Sequence, residues 1–351
     1  MEKLTVAVAM SGGVDSSLTA RLLLEQGYSV FGITMLLSDE RRDTGDYIGD
    51  AQKVATDLGI EHYVLDLRDP FKTEIIDYFI GEYTKGRTPN PCVLCNQKIK
   101  FSRIWEKARV LGADKLATGH YARCVYSEKY GRYLIQKGKD EKKDQSYVMH
   151  RLPQELLERI IFPLGELTKD ETRAKAAAFG LITAEKPESQ EICFVPNDDY
   201  KALLTKLAPD AFQAGNIVNT KGEIIGKHTG IANYTIGQRK GMGIAAAEPL
   251  YVLGLDAKNN TVIAGSEAQL WKTELSLSNV VWQAYAEENL PATVECKIKI
   301  RYGKTETDGV INVTGTGTAT VEFKQPVRAI TPGQSAVFYD GDLLLGGGRI
   351  D

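Results

Sequence analysis

The sequence predicts an α/β chain: a doubly wound, mostly parallel sheet over residues 1–206, a small β-rich central domain over residues 207–270 and a β-barrel over residues 271–351. Three observations predict it. Strand-length apolar runs alternate with amphipathic helical patterns through the first half, which implies a parallel sheet with helices on both faces. After about Leu207 the texture changes to short β-branched runs rich in glycine with no long helical period. Finally, 351 residues with 43% hydrophobic content suffice for two or three separate cores.

Leu4 to Ala9 reads as a buried strand, and Asp15 to Gln26 as a helix with Leu18, Leu22 and Leu23 on its inner face and Gly27 as its stop. Tyr28 to Met35 is the second strand, Asp50 to Leu58 a helix and Glu61 to Leu67 a third strand. A helix opened by Asp69 and Pro70 places Phe71, Ile75, Ile76, Phe79 and Tyr83 on one face and ends at Gly86. Lys98 to Val110 follows as a helix and Lys115 to Thr118 as a strand, after which Tyr121 to Lys137 turns hairpin-like. Thr168 and Glu171 form a capping box before a helix that ends at Gly180. Ile217 to His228 and Leu250 to Ala264 read as hairpins of the central domain. From Trp271 onward, runs such as ATVECKIKIRY and SAVFYDGDLLLG, the latter with a tight Asp340-Gly341 turn, give the barrel.

Composition excludes little but directs attention. The net charge of −3 does not mark a nucleic-acid binder, yet a phosphate-contacting surface needs only a local basic patch. The longest apolar runs are of strand length, and the apolar N-terminal segment runs straight into glycines, so the expectation is a cytoplasmic protein with no membrane partner. Five cysteines, Cys92, Cys95, Cys124, Cys193 and Cys296, are too few and too odd in number for a disulfide framework, which leaves any special cysteine reactive or ligating. Zinc is disfavoured because there is one CxxC, and His62, His120, His150 and His228 are scattered.

Between the first strand and first helix lies MSGGVDSS, Met10 to Ser17. A loop in that place offers backbone amides and the positive end of a helix to an anion. Gly12 and Gly13 allow close approach, and Ser11, Ser16 and Ser17 add hydroxyls; the lysine of a Walker loop is absent. SGGVDSS resembles the PP-loop of the ATP pyrophosphatases, which cleave ATP between the α- and β-phosphates and leave AMP on a substrate oxygen. That resemblance implies that Gly12, Gly13, Ser16 and Ser17 cradle pyrophosphate and that Asp15 helps hold Mg2+.

Two further segments carry thiols. In TPNPCVLCN, Thr88 to Asn96, the prolines hold the chain extended before Cys92 and Cys95, three apart at a helix start, where the dipole is expected to lower a thiol pKa. ESQEICFVP carries Cys193, flanked by Glu188, Gln190 and Glu191. Taken with ATGHYA, KDQSY, TIGQRKGMGI and TPGQSAVFY, these motifs closely resemble, in order and spacing, the tRNA-specific 2-thiouridylase (MnmA) family from Ala9 to Gly348.

The resemblance implies a PP-loop domain, a small central domain and a C-terminal barrel, and an activity: ATP-dependent replacement of the C2 oxygen of the wobble uridine by sulfur in tRNAs for Lys, Glu and Gln. It implies ATP contacts at Ala9, Met10, Ser11, Gly12, Gly13, Val14, Asp15, Ser16, Ser17, Met35 and Gly119. Asn90, Pro91 and Cys92 match the segment that meets the target base in the anticodon stem-loop. His120, Lys143, Asp144, Gln145, Arg301, Tyr302 and Gln334 match tRNA contacts, although KGKDEKKDQS by itself reads as a solvated charged loop. Cys95 falls at the family's nucleophile and Cys193 at its persulfide carrier, with a Cys95–Cys193 disulfide left for a reductant to reopen. The sulfur then comes from a cysteine desulfurase or a sulfur carrier protein.

One departure is Cys92, where many members have Asp. Cys92, Cys95 and Cys193 could together ligate a [4Fe-4S] cluster with one iron left open, as related thiolases do. Persulfide relay and cluster chemistry both stay open on the sequence. So does another PP-loop pyrophosphatase acting on a different tRNA base or a small molecule, although such an enzyme has no need of the Cys95 and Cys193 pair. Cys124 and Cys296 read as structural.

Overall fold

The computed structural model describes residues 3–38, 46–186, 192–195, 197 and 199–351. Glu188, Gln190 and Glu191 lie outside the described residues.

The N-terminal part opens with β1 (Thr5–Ala9), α1 (Val14–Glu25), β2 (Ser29–Leu36), α2 (Tyr47–Leu58) and β3 (His62–Asp66). A long helix follows as α3 (Arg68–Phe71), a π-helical turn (Lys72–Ile76) and α4 (Asp77–Thr84), with Phe71, Ile75, Phe79 and Tyr83 buried at four-residue spacing. Where the sequence predicts a helix from Lys98, the structure has one unbroken helix: α5 (Pro91–Cys95), a π-helical segment (Asn96–Arg103) and α6 (Ile104–Val110). Asn90 caps it and Pro91 occupies its first turn, so the cysteines ride on the front of this helix.

Next come β4 (Lys115–Ala117), the hairpin β5 (Ala122–Ser127) and β6 (Arg132–Lys137), α7 (Gln154–Leu157), β7 (Ile160–Ile161) and α8 (Lys169–Ala178). The parallel sheet has the order β3-β2-β1-β4-β7, so the direction of winding reverses at β1. Val6, Ala7 and Val8 are wholly buried, as expected for a strand covered on both faces. The glycine loop leaves the carboxyl end of β1 at this switch point, where open α/β sheets bind ligands.

The central sheet runs β10 (Tyr251–Asp256), β11 (Thr261–Gly265), β8 (Gly215–Val218), β9 (Ile224–His228), preceded in the chain by α9 (Tyr200–Leu207). The barrel closes through β12 (Trp271–Trp282), β15 (Thr318–Arg328), β14 (Thr307–Gly315), β13 (Thr293–Lys299), β16 (Ser335–Asp340) and β17 (Leu343–Ile350), which returns to β12.

The β5–β6 hairpin, expected inside the first domain, extends this barrel sheet through the Leu343 and Gln136 pairing. Its alternation explains why. Leu134 enters the barrel core with Phe338 and Leu345, whereas the neighbouring Ile135 enters the α/β core with Val337 and Tyr339. The barrel is therefore packed onto the parallel-sheet layer by strands that feed both cores. Among the described residues no helix is long and apolar enough to cross a membrane.

Candidate active site

Gly12 stands at φ +70°, and a side chain there would collide with the Tyr47 carbonyl oxygen. A Cβ at Gly119 would lie 2.8 Å from the Asp15 carbonyl carbon, so the end of β4 fits against the loop only as glycine. The serine hydroxyls turn inward. Ser16 Oγ donates to Gly13 O at 3.2 Å and accepts from Ser11 N at 3.1 Å, and Ser17 Oγ donates to Gly13 O at 2.9 Å. In this arrangement the anion-binding groups left facing outward are backbone amides and the positive end of α1.

Two lysines that sequence reasoning missed reach this loop. Lys169 Nζ lies 2.7 and 2.9 Å from the two carboxylate oxygens of Asp15, and Tyr121 OH donates to Asp15 Oδ1 at 2.9 Å. The Lys169 side chain is only 9% exposed and Asp15 32%, so the pair is desolvated chiefly on the lysine side. Lys169 is aimed by its place at the start of α8, where the Thr168 and Glu171 capping box is fully formed. Lys186 Nζ donates to Gly12 O at 3.1 Å and pairs with Asp50 of α2. The single local signal was the capping box immediately before Lys169; the approach to a loop about 150 residues earlier depends on the tertiary fold.

The thiols gather at the same carboxyl edge of the sheet. Cys95 is buried among Leu37 and Leu67, which directly follow β2 and β3, and Cys193 and Phe194 pack against that cluster. Cys92 is half-buried, with its N–H donating to Asn90 Oδ1 at 3.2 Å. Contrary to the expected lowering, burial pushes the Cys92 thiol up; Lys100 pulls it down and Cys193 adds to the rise. Desolvation outweighs the helix end because a five-residue first segment buried in apolar neighbours offers little compensating solvent. A raised thiol is protonated at neutral pH and ionises only as pH climbs past its ordinary range. Iodoacetamide alkylation of Cys92 should therefore still be accelerating above pH 9, and Lys100→Met should shift the curve further upward. A rate that levels off below pH 8 would contradict this.

All five cysteines are free thiols. Among the described residues no three His, Cys, Asp or Glu side chains form a group that could hold a metal ion. As placed, Cys92, Cys95 and Cys193 do not fit a [4Fe-4S] cluster, and Asp15, with both oxygens on Lys169, does not present an open Mg2+ site.

The residues matched to tRNA contacts divide into two sets. Tyr302 is 45% exposed beside Arg301, with its ring 6.0 Å from that of Tyr147, and burial together with Asp144 and Cys92 raises its hydroxyl pKa. Those neighbours bring the barrel turn to the thiol helix. Lys143 keeps part of its surface at the loop. Asp144, by contrast, is buried and accepts from Gly138 N, Ser146 N and Ser146 Oγ, so it holds the loop from within. Gln145 accepts from Tyr121 N, and Gln334 is buried with its amide on Thr88 O. His120 bonds Thr118 Oγ1 at 2.7 Å, and burial lowers its pKa well below the usual range, which keeps the ring neutral at pH 7. Met35 lies at the end of β2, and its carbonyl accepts from Tyr47 OH.

An anion-binding loop at the switch point of a parallel sheet, with thiols at the same carboxyl edge, is the arrangement of a nucleotide-using α/β enzyme. Family models described as tRNA methyl transferase HUP domain, tRNA methyl transferase PRC-barrel domain and aminomethyltransferase beta-barrel domain match residues 4–197, 201–266 and 272–350. The chain is 49% identical to tRNA-specific 2-thiouridylase MnmA 1 of Caldanaerobacter subterraneus subsp. tengcongensis, over 99% of this chain and 97% of that one. It is 46% identical to the MnmA of Carboxydothermus hydrogenoformans over the same shares, and 46% identical to that of Acetivibrio thermocellus over the full length of both. The chain belongs to the MnmA family of tRNA-specific 2-thiouridylases.

Proposed function

We propose that the protein activates the C2 oxygen of the wobble uridine of tRNA with ATP and then replaces that oxygen with sulfur carried on Cys193. The observation that carries this reading is the meeting of an anion loop and the Cys95 and Cys193 thiols at one edge of one sheet.

In the first step the uridine oxygen attacks the α-phosphorus, the bond from that phosphorus to the bridging oxygen breaks, and pyrophosphate leaves. Backbone amides of the loop and the ammonium groups of Lys169 and Lys186 stabilise the charge that accumulates on pyrophosphate. Asp15 and Asp50 aim those lysines and neutralise them until the polyphosphate arrives.

In the second step the terminal sulfur of a Cys193 persulfide bonds to C2, and the C2–O bond breaks to release AMP. The Cys95 thiolate attacks Cys193 Sγ, which frees the transferred sulfur and leaves a disulfide. A persulfide-bearing donor protein recharges Cys193, and a dithiol reductant supplies the two electrons that reopen the disulfide. Burial of Cys95 in its apolar cluster shields the attacking thiol from bulk water.

Purified protein supplied with tRNA, ATP, a persulfide donor and a thiol reductant should form one AMP and one pyrophosphate per 2-thiouridine, read by nucleoside mass spectrometry. Release of ADP and phosphate, or thiolation without AMP, would sink the proposal.

A further inference from the structure

We infer that the C-terminal barrel is a positioning element for the catalytic thiols, and that Gln334 acts by clamping the extended segment that leads into the cysteine helix. This rests on the site proposed above and extends it.

The clamp has two sides. Thr88 N donates to Pro332 O at 2.9 Å, and Gln334 Nε2 donates to Thr88 O at 2.8 Å, so both backbone polar groups of Thr88 are held by one barrel turn. Gly333, between them, stands at φ +91°, and a Cβ there would lie 3.0 Å from the Thr88 backbone. The turn itself is pinned to β17 by Gly333 N to Ile350 O at 2.9 Å and Ile350 N to Gln334 O at 2.8 Å. One residue upstream of Thr88, Arg87 Nη1 lies 3.6 Å from buried Glu82, whose carboxylate closes the same seam with the barrel's Arg349 Nη1 at 3.8 Å.

What Thr88 anchors is stiff. Pro89 and Pro91 restrict the chain on either side of Asn90, and Asn90 caps Cys92, so a fixed Thr88 fixes the start of α5. The turn also reaches the surface. Arg301 Nη2 donates to Thr331 Oγ1 at 2.6 Å, and Thr331 Oγ1 donates to Ala329 O at 2.9 Å, so RNA that engages Arg301 pulls on the residue next to Pro332. Gln334 is 9% exposed and its amide nitrogen already donates to Thr88 O, so the side chain serves the protein's own seam.

The test separates a clamp from an RNA contact. Gln334→Met removes the donor while keeping the volume, and Gly333→Ala crowds Thr88 without adding or removing any RNA-binding group. In full-length protein free of tRNA and ATP, iodoacetamide alkylation of Cys92 at fixed pH should speed up at least about fivefold in both variants, while Cys124 in β5 and Cys296 in β13 react as in wild type and report an intact fold. At saturating tRNA, single-turnover thiolation should fall about tenfold or more with the tRNA Kd changed less than about twofold, because misplaced reacting groups cost rate rather than affinity. Unchanged Cys92 alkylation in both variants, with Gln334→Met weakening tRNA binding and leaving the saturating rate intact, would overturn the inference. The alkylation readout needs neither substrate, so it stands or falls separately from the proposed reaction, which wild-type AMP and 2-thiouridine formation tests.

Discussion

Lys169→Met is expected to lower tRNA-dependent AMP formation by about 10²–10³-fold, the usual cost of removing one preorganised group that stabilises developing charge. Lys169 is placed for this. Its ammonium lies within 2.9 Å of both Asp15 oxygens at the start of α1, with Tyr121 fixing the same carboxylate from a second direction. A polyphosphate at the loop offers Lys169 a more highly charged partner than one carboxylate. Asp15→Asn should also slow the reaction, but less, because it loosens the lysine without deleting its charge. Lys186→Met removes a partly exposed cation that pairs with Asp50, and a smaller loss, about tenfold, is expected where solvent already screens the charge. AMP formation measured with radiolabelled ATP separates these cases from any later failure in sulfur transfer. A Lys169→Met enzyme within threefold of wild type would show that the loop amides suffice alone.

These lysines mark the boundary of what the sequence made legible. The glycine loop, its flanking strand and helix, the capping box and the barrel hairpins each carry a local pattern of period or turn chemistry, and the structure forms all of them within a few residues of the expected bounds. What was not legible depends on packing at long range. Lys169 and Lys186 look like any surface lysine until α8 is folded back over α1. The β5–β6 hairpin has the alternation of a hairpin, but nothing local says that Leu134 and Ile135 face two different cores. The helix expected from Lys98 begins at Pro91 because a π-helical segment carries it on from Cys95, and a π segment has no propensity signature. Cys92 followed the helix-dipole rule in sequence and departed from it in structure, since burial is a tertiary property. Asp144 and Gln334 are matched to RNA contacts by motif, yet the Asp144 carboxylate is engaged by Gly138 and Ser146 and the Gln334 amide nitrogen donates to Thr88 O. Motif position and physical role separate where a residue can serve RNA only through the backbone it holds.

Cys95→Ala and Cys193→Ala should each abolish 2-thiouridine formation, by at least about 10³-fold, while leaving AMP formation within a few-fold of wild type. The split follows from the geometry: both thiols sit in the cluster under β2 and β3, and neither belongs to the glycine loop or to the lysines that meet it. The two variants should differ from each other in one respect. Charged with a ³⁵S-labelled persulfide donor, Cys95→Ala retains label on Cys193, whereas Cys193→Ala takes up none. Cys92→Ala is the decisive comparison. In a relay Cys92 neither carries nor attacks sulfur, so its loss should leave more than about a tenth of the activity, the remainder reflecting its place on the capped helix start. In cluster chemistry the three cysteines act as a unit and all three variants fail alike, with iron and acid-labile sulfide lost after anaerobic purification. The placement of the side chains favours the relay, because among the described residues no three His, Cys, Asp or Glu side chains form a group that could hold a metal ion. Equal loss in all three variants, together with stoichiometric iron in the wild type, would replace the persulfide on Cys193 with sulfide bound to iron and would give Cys92 the ligand's role.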